Sequence, residues 1–201
     1  MRGYSDRINH AFTFAAKHYA PRAPRYAPHP YLAQPANVAV ILLRHGADET
    51  TVVASVLHHL LEICADGERT EMEQKVCDKF GPVVLGVACD AAAPRVDATG
   101  EALDWRLRKR EVMRLLATME PRALDIRCAD EIHECGAAIS VVQRLGHEYL
   151  EPQGHANARE VIAWFDDLAA ALGRRIDWPG HTLRDELRAL TRELASLTGA
   201  R

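Results

Sequence analysis

The stretch Thr51-Val-Val-Ala-Ser-Val-Leu-His-His-Leu-Leu-Glu-Ile-Cys64 decides the fold of this chain. It is apolar on nearly every side of a helix, which is typical of a helix surrounded by other helices. It nevertheless carries His58, His59 and Glu62 in its middle, and buried polar groups need partners. The sequence therefore predicts a central helix over residues 49–64. The two histidines are either core residues bonded to neighbouring helices or part of a functional site.

The rest of the chain predicts an all-α fold of roughly nine helices, because apolar residues recur at three- and four-residue spacing and period-two runs are scarce. Ser5, the pair Thr70 and Glu73, and the weaker pair Thr182 and Asp185 are predicted helix starts. The predicted helices cover residues 5–20, 35–45, 49–64, 70–79, 81–89, 103–119, 122–146, 157–172 and 182–198.

Two stretches interrupt these helices. Residues 21–30 contain four prolines, which remove backbone donors and disfavour helix, so a loop is expected there. Residues 91–100 form a second break. Since no internal repeat or linker is visible, the sequence predicts a single domain over 1–201, with a core of 5–172 and the helix 182–198 packed on it.

Composition excludes several classes of protein. The chain has 201 residues, and 25 Lys and Arg against 28 Asp and Glu give a formal charge of −3. This balance argues against a basic nucleic-acid-binding coat and predicts no nucleic-acid polymer as partner. Five cysteines without a CxxC pair suggest reduced thiols rather than disulfides or a zinc ribbon. No apolar run approaches a membrane span, so a cytoplasmic location is expected.

A second cluster of potential ligands lies in Ile126-Arg-Cys-Ala-Asp-Glu-Ile-His-Glu-Cys135. Asp130, His133 and Glu134 fall on one face of a long predicted helix by their three- and four-residue spacing. The alternative is a solvated polar stripe. Two helices that contribute His and Asp to one centre are a common way for helical proteins to build a metal site.

These motifs together resemble a known family. The segments HAFTFAAKHYAPR, PYLAQP, VLHHLLEI, FGPVVLGVACD, WRLRKREVMRLLATM and IRCADEIHE occur in the order seen in HD-domain hydrolases of the RelA/SpoT type, including small alarmone hydrolases. That family shows the pattern PYxxHP, HDxxED and KxADxxxN. The resemblance implies an all-helical HD domain that binds manganese and removes the 3'-pyrophosphate of ppGpp and pppGpp.

The family's metal ligands transfer only in part. His58 and Asp130 match two ligands of the family. Gln34 stands where the first ligand histidine would be, and an amide oxygen is a poor transition-metal donor. His59 replaces the aspartate of the HD pair, which shifts the metal preference from manganese toward zinc, nickel or iron. His29 and His133 are further candidates for the missing ligand.

The family's catalytic and phosphate-binding residues also transfer in part. Glu62 matches the acidic residue that orients the attacking water, whereas the second acid of that motif is absent. Arg22 survives from the basic loop that contacts the nucleotide, and Arg25 is a substitute. Arg127 replaces a lysine with its charge kept. Glu134 replaces a neutral asparagine and adds a negative charge near the expected substrate.

Three functions remain open. The first is a metal-dependent phosphohydrolase with a remodelled site for a nucleotide or another phosphorylated small molecule. The second is a catalytically inactive HD domain that senses a nucleotide or binds a protein. The third and weakest is a non-hydrolytic acid–base enzyme that uses the same cavity. Trp164 and Phe165, with the leucine-rich terminal helix, belong either to the monomer core or to a homodimer face.

Overall fold

The computed structural model describes residues 4–19, 32–64, 66–93, 95–97, 101–150 and 157–199. Its regular structure there is helical apart from one isolated bridge between Val96 and Ala102, which confirms the all-α prediction. None of the helices in these ranges is long and apolar enough to cross a membrane. The helices are α1 (Asp6–Tyr19), α2 (Ala33–Arg44), α3 (Glu49–Glu62), α4 (Asp66–Phe80), α5 (Pro82–Ala91), α6 (Trp105–Leu115), α7 (Pro121–Leu145), α8 (Ala158–Gly173) and α9 (His181–Thr198), with a short 3-10 helix at His147–Leu150 between α7 and α8.

The chain divides into two compact units, residues 1–102 and 103–201. In the first unit α3 lies at the centre and contacts α1, α2, α4 and α5. Every residue of α3 from Thr51 to Glu62 is buried, as the apolar run predicts. Asp48 starts the helix, because its carboxylate accepts hydrogen bonds from the Thr51 N–H and the Thr51 hydroxyl, both at 2.8 Å.

In the second unit α7 is the longest helix and packs against α9, α8 and the 3-10 helix. Trp164 and Phe165 are buried within this unit, at 6% and 2% exposure, so they belong to its core. The leucines of α9 that repeat along one face, Leu183, Leu187 and Leu194, are buried as well. The homodimer remains a prediction.

Two predicted helix starts are wrong. The chain enters α4 at Asp66, so Thr70 lies inside that helix, where Glu73 accepts from the Arg69 guanidinium at 2.8 Å instead of capping. Likewise α9 begins at His181 with Gly180 as its N-cap rather than Thr182. The Trp178 indole packs so closely on Gly180 that a Cβ there would lie 2.1 Å from the ring, and only glycine fits.

The start at Ser5 is correct. Its hydroxyl accepts from the Ile8 N–H at 3.2 Å, which is the bond expected of an N-cap.

The five cysteines carry free thiols: Cys64, Cys128 and Cys135 are buried, and Cys77 and Cys89 are half-buried. The predicted loop at 21–30 lies outside the described residues.

Candidate metal centre

His58 sits on α3 with no exposed surface. Its Nδ1 is 2.6 Å from the main-chain carbonyl oxygen of Ser55, one turn earlier. A carbonyl oxygen only accepts hydrogen bonds, so Nδ1 must carry the proton in this contact. In a neutral imidazole, the lone pair then belongs to Nε2. His58 is therefore held in the tautomer that ligates a metal through Nε2.

His59 is also oriented through its Nδ1, but by a side-chain acceptor. Its Nδ1 lies 3.1 Å from Glu62 Oε2, and the carboxylate accepts the Nδ1 proton. The His59 ring lies 4.0 Å from the His58 ring, measured between centroids. A carboxylate behind a histidine fixes the ring orientation and raises the basicity of the other nitrogen, as in metal sites.

Glu62 is buried, at 1% exposure, and accepts several hydrogen bonds. Besides His59, its carboxylate accepts from the Ala93 N–H at 3.1 Å and from Arg95 Nε at 2.6 Å. Its own main-chain carbonyl accepts from the Arg95 N–H at 2.9 Å. The segment after α5 is thereby bonded to the last residue of α3. No motif or spacing in the sequence indicates Arg95, because it lies 33 positions from Glu62.

The donors of the first unit fit a divalent transition metal. Ligand atoms of His58, His59 and Glu62 all lie within 4.8 Å of one another. Imidazole nitrogens suit zinc, iron and nickel, and carboxylate oxygen suits manganese. The oriented tautomers of both rings are what such a site requires, so the residues present fit a metal ion.

Asp130 lies on α7 in the second unit and has no exposed surface. Its Oδ2 accepts from Arg127 Nη1 at 3.2 Å, one turn earlier on the same helix, and Arg127 itself is 3% exposed. A buried carboxylate is costly unless it is paired, and this ion pair supplies one partner. Two of the predicted site residues, Asp130 and Arg127, are thus brought together by helical spacing.

Glu134, also on α7, accepts from Lys109 Nζ at 2.8 Å. The same ammonium lies 3.2 Å from both carboxylate oxygens of Glu131. The Trp164 indole N–H donates to Glu131 at 2.7 Å. Burial raises the pKa of the Glu131 carboxyl, and Lys109 opposes this rise. Local sequence pattern does not indicate Lys109 either, because its partners Glu131 and Glu134 lie 22 and 25 positions away.

A sequence model of the HD domain family matches residues 11–174. This range covers most of the chain and includes both ligand clusters. The chain belongs to the HD-domain family. The likeness to RelA/SpoT-type HD domains that the motifs suggest is thus confirmed for family and fold.

Three relatives place this HD domain among known proteins. A probable GTP pyrophosphokinase of Mycobacterium leprae (strain TN) is 30% identical over 169 residues, which cover 83% of this chain. The match spans only 19% of that relative's length. A metazoan SpoT ortholog, described as hydrolysing ppGpp, has a TM-score of 0.69 at 22% identity, covering 96% of this chain and 98% of its own. A Listeria monocytogenes EGD-e protein has a TM-score of 0.63 at 19% identity, covering 83% and 98%. At these identities the two structures show the fold.

The remaining predicted site residues of the HD domain are spread over the chain. Gln34 lies on α2 and is half-buried, and His133 is half-buried on α7. Arg22, Arg25 and His29 lie outside the described residues. Their predicted roles therefore stay predictions.

Proposed function

We propose that this HD domain is a metal-dependent phosphohydrolase that acts on a nucleotide or another phosphorylated small molecule. The observation that carries the proposal is the matched orientation of two buried imidazoles. His58 and His59 each direct Nδ1 toward an oxygen acceptor, at 2.6 and 3.1 Å, and thereby assign Nε2 as the ligand atom. Two core histidines with a purely structural role have no need of the same tautomer on adjacent rings.

His58, His59 and Asp130 are the proposed metal ligands, following the family pattern. Gln34, at the position of the family's first histidine, is the weakest donor of the set because its oxygen is a neutral amide. The metal is manganese, zinc, iron or nickel. When bound, such an ion polarises phosphate oxygens and lowers the pKa of a bound water.

Glu62 has two proposed roles in this site. Its contact with His59 Nδ1 keeps that imidazole oriented, and the family pattern assigns it to the attacking water. Arg95 fixes the Glu62 carboxylate through the 2.6 Å bond from Nε. Glu62 is thus proposed both to hold His59 in place and to orient the attacking water.

Phosphate is proposed to be held by Arg22, Arg25 and Arg127. Glu134 brings a negative charge where the family has an amide, which disfavours a polyphosphate. The Lys109 ammonium at 2.8 Å from Glu134 offsets part of that charge. We therefore expect a phosphorylated substrate to remain compatible with Glu134.

The substrate to test first is ppGpp. The metazoan SpoT ortholog with the same fold is described as a ppGpp hydrolase. A 3'-pyrophosphorylated guanosine is therefore the first member of the proposed nucleotide class, with GTP, GDP and a generic phosphomonoester as comparisons.

A second candidate function is an inactive HD domain that binds a nucleotide or a protein. One observation favours it: the Glu62 carboxylate already accepts from His59, Ala93 and Arg95. A carboxylate in this state has less capacity to bind and orient a water molecule than an exposed carboxylate. The non-hydrolytic acid–base enzyme has no contact of its own in its favour.

The test is metal analysis of protein purified without chelator, combined with hydrolysis assays in manganese, zinc, iron, nickel and no metal. Bound metal near one equivalent, with turnover lost in His58→Asn and Asp130→Asn, is the expected result. His10→Gln, a histidine on the exposed side of α1, is the matched control and should keep both. Metal binding without turnover supports the inactive HD domain instead.

The double variant Gln34→His, His59→Asp restores the family's ligand pattern. Activity that appears only in this variant means that the fold still recognises the substrate but that the natural chain has lost catalysis. A metal-free and inactive wild type together with an inactive double variant would rule out the hydrolase for the substrates assayed.

A further inference from the structure

The second unit contains a cavity that the proposed metal centre does not use. It lies between α6 and α8 and has a volume of about 350 Å³, within the range of small-molecule pockets. Its walls are mostly apolar, with the indoles of Trp105 and Trp164 and the thioether of Met113. Ala163 on α8 adds only a methyl group, which leaves the space open. The cavity therefore offers mainly apolar and aromatic surface to a ligand.

The Trp164 indole is held in place before any ligand binds. The Trp164 N–H donates to the buried Glu131 carboxylate at 2.7 Å, so this ring cannot turn without breaking that bond. The Lys109 ammonium lies 4.5 Å from the centre of the Trp164 ring and 6.0 Å from the Trp105 ring. Walls that are already ordered lower the entropic cost of binding.

A bidentate ion pair fixes the spacing of the two helices. Arg106 on α6 donates through Nε and Nη2 to the two carboxylate oxygens of Glu160 on α8, at 2.9 and 2.8 Å. Glu160 is anchored in turn by the capping box that it forms with Asn157. Charge-assisted hydrogen bonds thus link the two helices that line the cavity.

Two of the three cations around the cavity are already paired, which disfavours a polyphosphate ligand. Lys109 is engaged by two carboxylates, Glu131 and Glu134, and Arg106 is engaged by Glu160. Neither cation has positive charge to spare for a second anion. The ligand of this cavity is therefore of another class than the phosphorylated substrate proposed for the metal centre.

Two charged side chains of the lining remain, on opposite helices. Arg110 of α6 and Asp167 of α8 are both exposed, and within the described part of the chain neither forms an ion pair. One cation and one anion beside an aromatic slot complement a ligand that carries one anion, one cation and a ring. A purely apolar ligand leaves both charges unused.

We propose that the cavity between α6 and α8 binds a small aromatic zwitterion of the free aromatic amino acid class. The ring lies against the indoles of Trp105 and Trp164, where aromatic contacts favour offset or edge-to-face packing. The carboxylate pairs with Arg110, and the ammonium pairs with Asp167. The proposal does not depend on the hydrolase, because the ring, Arg110 and Asp167 contacts involve no proposed metal ligand.

Titration calorimetry with the full chain tests the proposal, with L-phenylalanine and L-tryptophan as probes. Both should bind. Phenethylamine and tryptamine lack the carboxylate, and 3-phenylpropionate and indole-3-propionate lack the ammonium. Each should bind about two- to fivefold more weakly than its parent amino acid. Arg110→Gln and Asp167→Asn should each cost a similar factor, and each should abolish the preference for its own charged group.

Ala163→Phe fills the slot and should remove binding, and because Ala163 is exposed its replacement should leave the melting temperature close to that of the wild type. Arg192→Gln, an exposed arginine on α9, is the control and should bind like the wild type. Any of three results would overturn the proposal. The first is that neither amino acid gives a heat of binding at concentrations up to about 10 mM, since a dissociation constant above that value means no useful affinity. The others are equal affinity for the singly charged analogues, and higher affinity for guanosine monophosphate than for the amino acids.

Discussion

Arg95 Nε donates to Glu62 Oε2 at 2.6 Å, although the two residues are 33 positions apart in the chain. The same carboxylate oxygen is 3.1 Å from His59 Nδ1. The buried Glu62 carboxylate thus connects the segment after α5 to a proposed metal ligand. Removing either of these two hydrogen-bond partners should have a measurable effect.

Replacing Arg95 by alanine should destabilise the protein by about 2 kcal/mol, because a buried carboxylate loses a charge-assisted hydrogen bond. Urea unfolding followed by circular dichroism measures this. Arg114→Ala is the matched control, because its pair with Glu111 is exposed and should contribute little. Equal losses of unfolding free energy in the two variants would contradict a stabilising role for the buried Arg95–Glu62 hydrogen bond.

The Arg95→Ala substitution should also affect the tautomer of His59. Without Arg95, the Glu62 carboxylate is less fixed, so the Nδ1-protonated tautomer of His59 should become less populated in the metal-free protein. Long-range ¹⁵N NMR of the imidazole nitrogens reports that tautomer. Arg95→Lys should restore most of the stability but less of the orientation, since an ammonium lacks the planar fork of a guanidinium. An unchanged His59 spectrum would refute the coupling.

Lys109→Met should cost about 3–5 kcal/mol at neutral pH, because it leaves the Glu131 carboxylate buried without its cation. The second change Glu131→Leu should recover much of this loss, since it removes the stranded charge. Lys75→Met is the control, because its 2.6 Å pair with Glu71 is exposed. A double variant no more stable than Lys109→Met alone would contradict this explanation.

The pH dependence of the Lys109→Met variant follows from the same pair. Burial already raises the pKa of Glu131, and Lys109 is the largest opposing influence. Without Lys109 the pKa in the folded state rises further. A group protonated in the folded state and ionised in the unfolded state makes stability fall as pH rises between the two pKa values. As pH rises, the free energy of unfolding of the variant should therefore fall over a pH range that extends higher than in the wild type. Urea unfolding at a series of pH values measures this.

Arg175→Ala should destabilise the second unit by about 1–3 kcal/mol. The guanidinium donates to the main-chain carbonyl of Leu116, and also to that of Met119 at 2.7 Å, both just beyond the end of α6. It also lowers the pKa of Asp177 to about 2 through a direct hydrogen bond. In the variant that pKa should return toward its ordinary range, which a ¹³C NMR titration shows. Arg114→Ala, an exposed arginine paired with Glu111 within one turn, should leave both the stability and the Asp177 titration unchanged.

Thiol alkylation should follow burial. Burial is the largest cause that raises the pKa of Cys135 to about 12 and that of Cys89 to about 11. At pH 8 only about one Cys89 in a thousand and one Cys135 in ten thousand is then thiolate, the reactive form. Iodoacetamide with peptide mass spectrometry should modify Cys89 about tenfold faster than Cys135. In guanidinium chloride the two rates should become equal, and equal rates in the native protein would contradict the prediction.

The sequence was sufficient for the features that depend on local pattern. The apolar run around His58 specifies a buried helix because a helix with no polar face can only be surrounded. Helical spacing alone places Asp130 one turn from Arg127, and their 3.2 Å ion pair follows from it. The motif order was enough to predict the HD domain, and the family match confirms it.

Local pattern misled where two arrangements use the same residues. Thr70 and Glu73 fit a capping box, but the same spacing also occurs in a helix interior, where Glu73 pairs with Arg69. The helix start at Thr182 was displaced because Trp178 requires glycine at position 180. That requirement comes from a side chain packing on the backbone, which no cap motif encodes.

The partners of the buried charges were decided by tertiary structure alone. Arg95 meets Glu62 across 33 positions, and Lys109 meets Glu131 across 22. Sequence shows that each acid needs a partner, because an unpaired buried charge is costly. It does not show which of the chain's 25 basic residues supplies it, since that choice depends on how the helices pack. The need for a partner thus follows from the chemistry of the residue, whereas the identity of the partner follows from the tertiary structure.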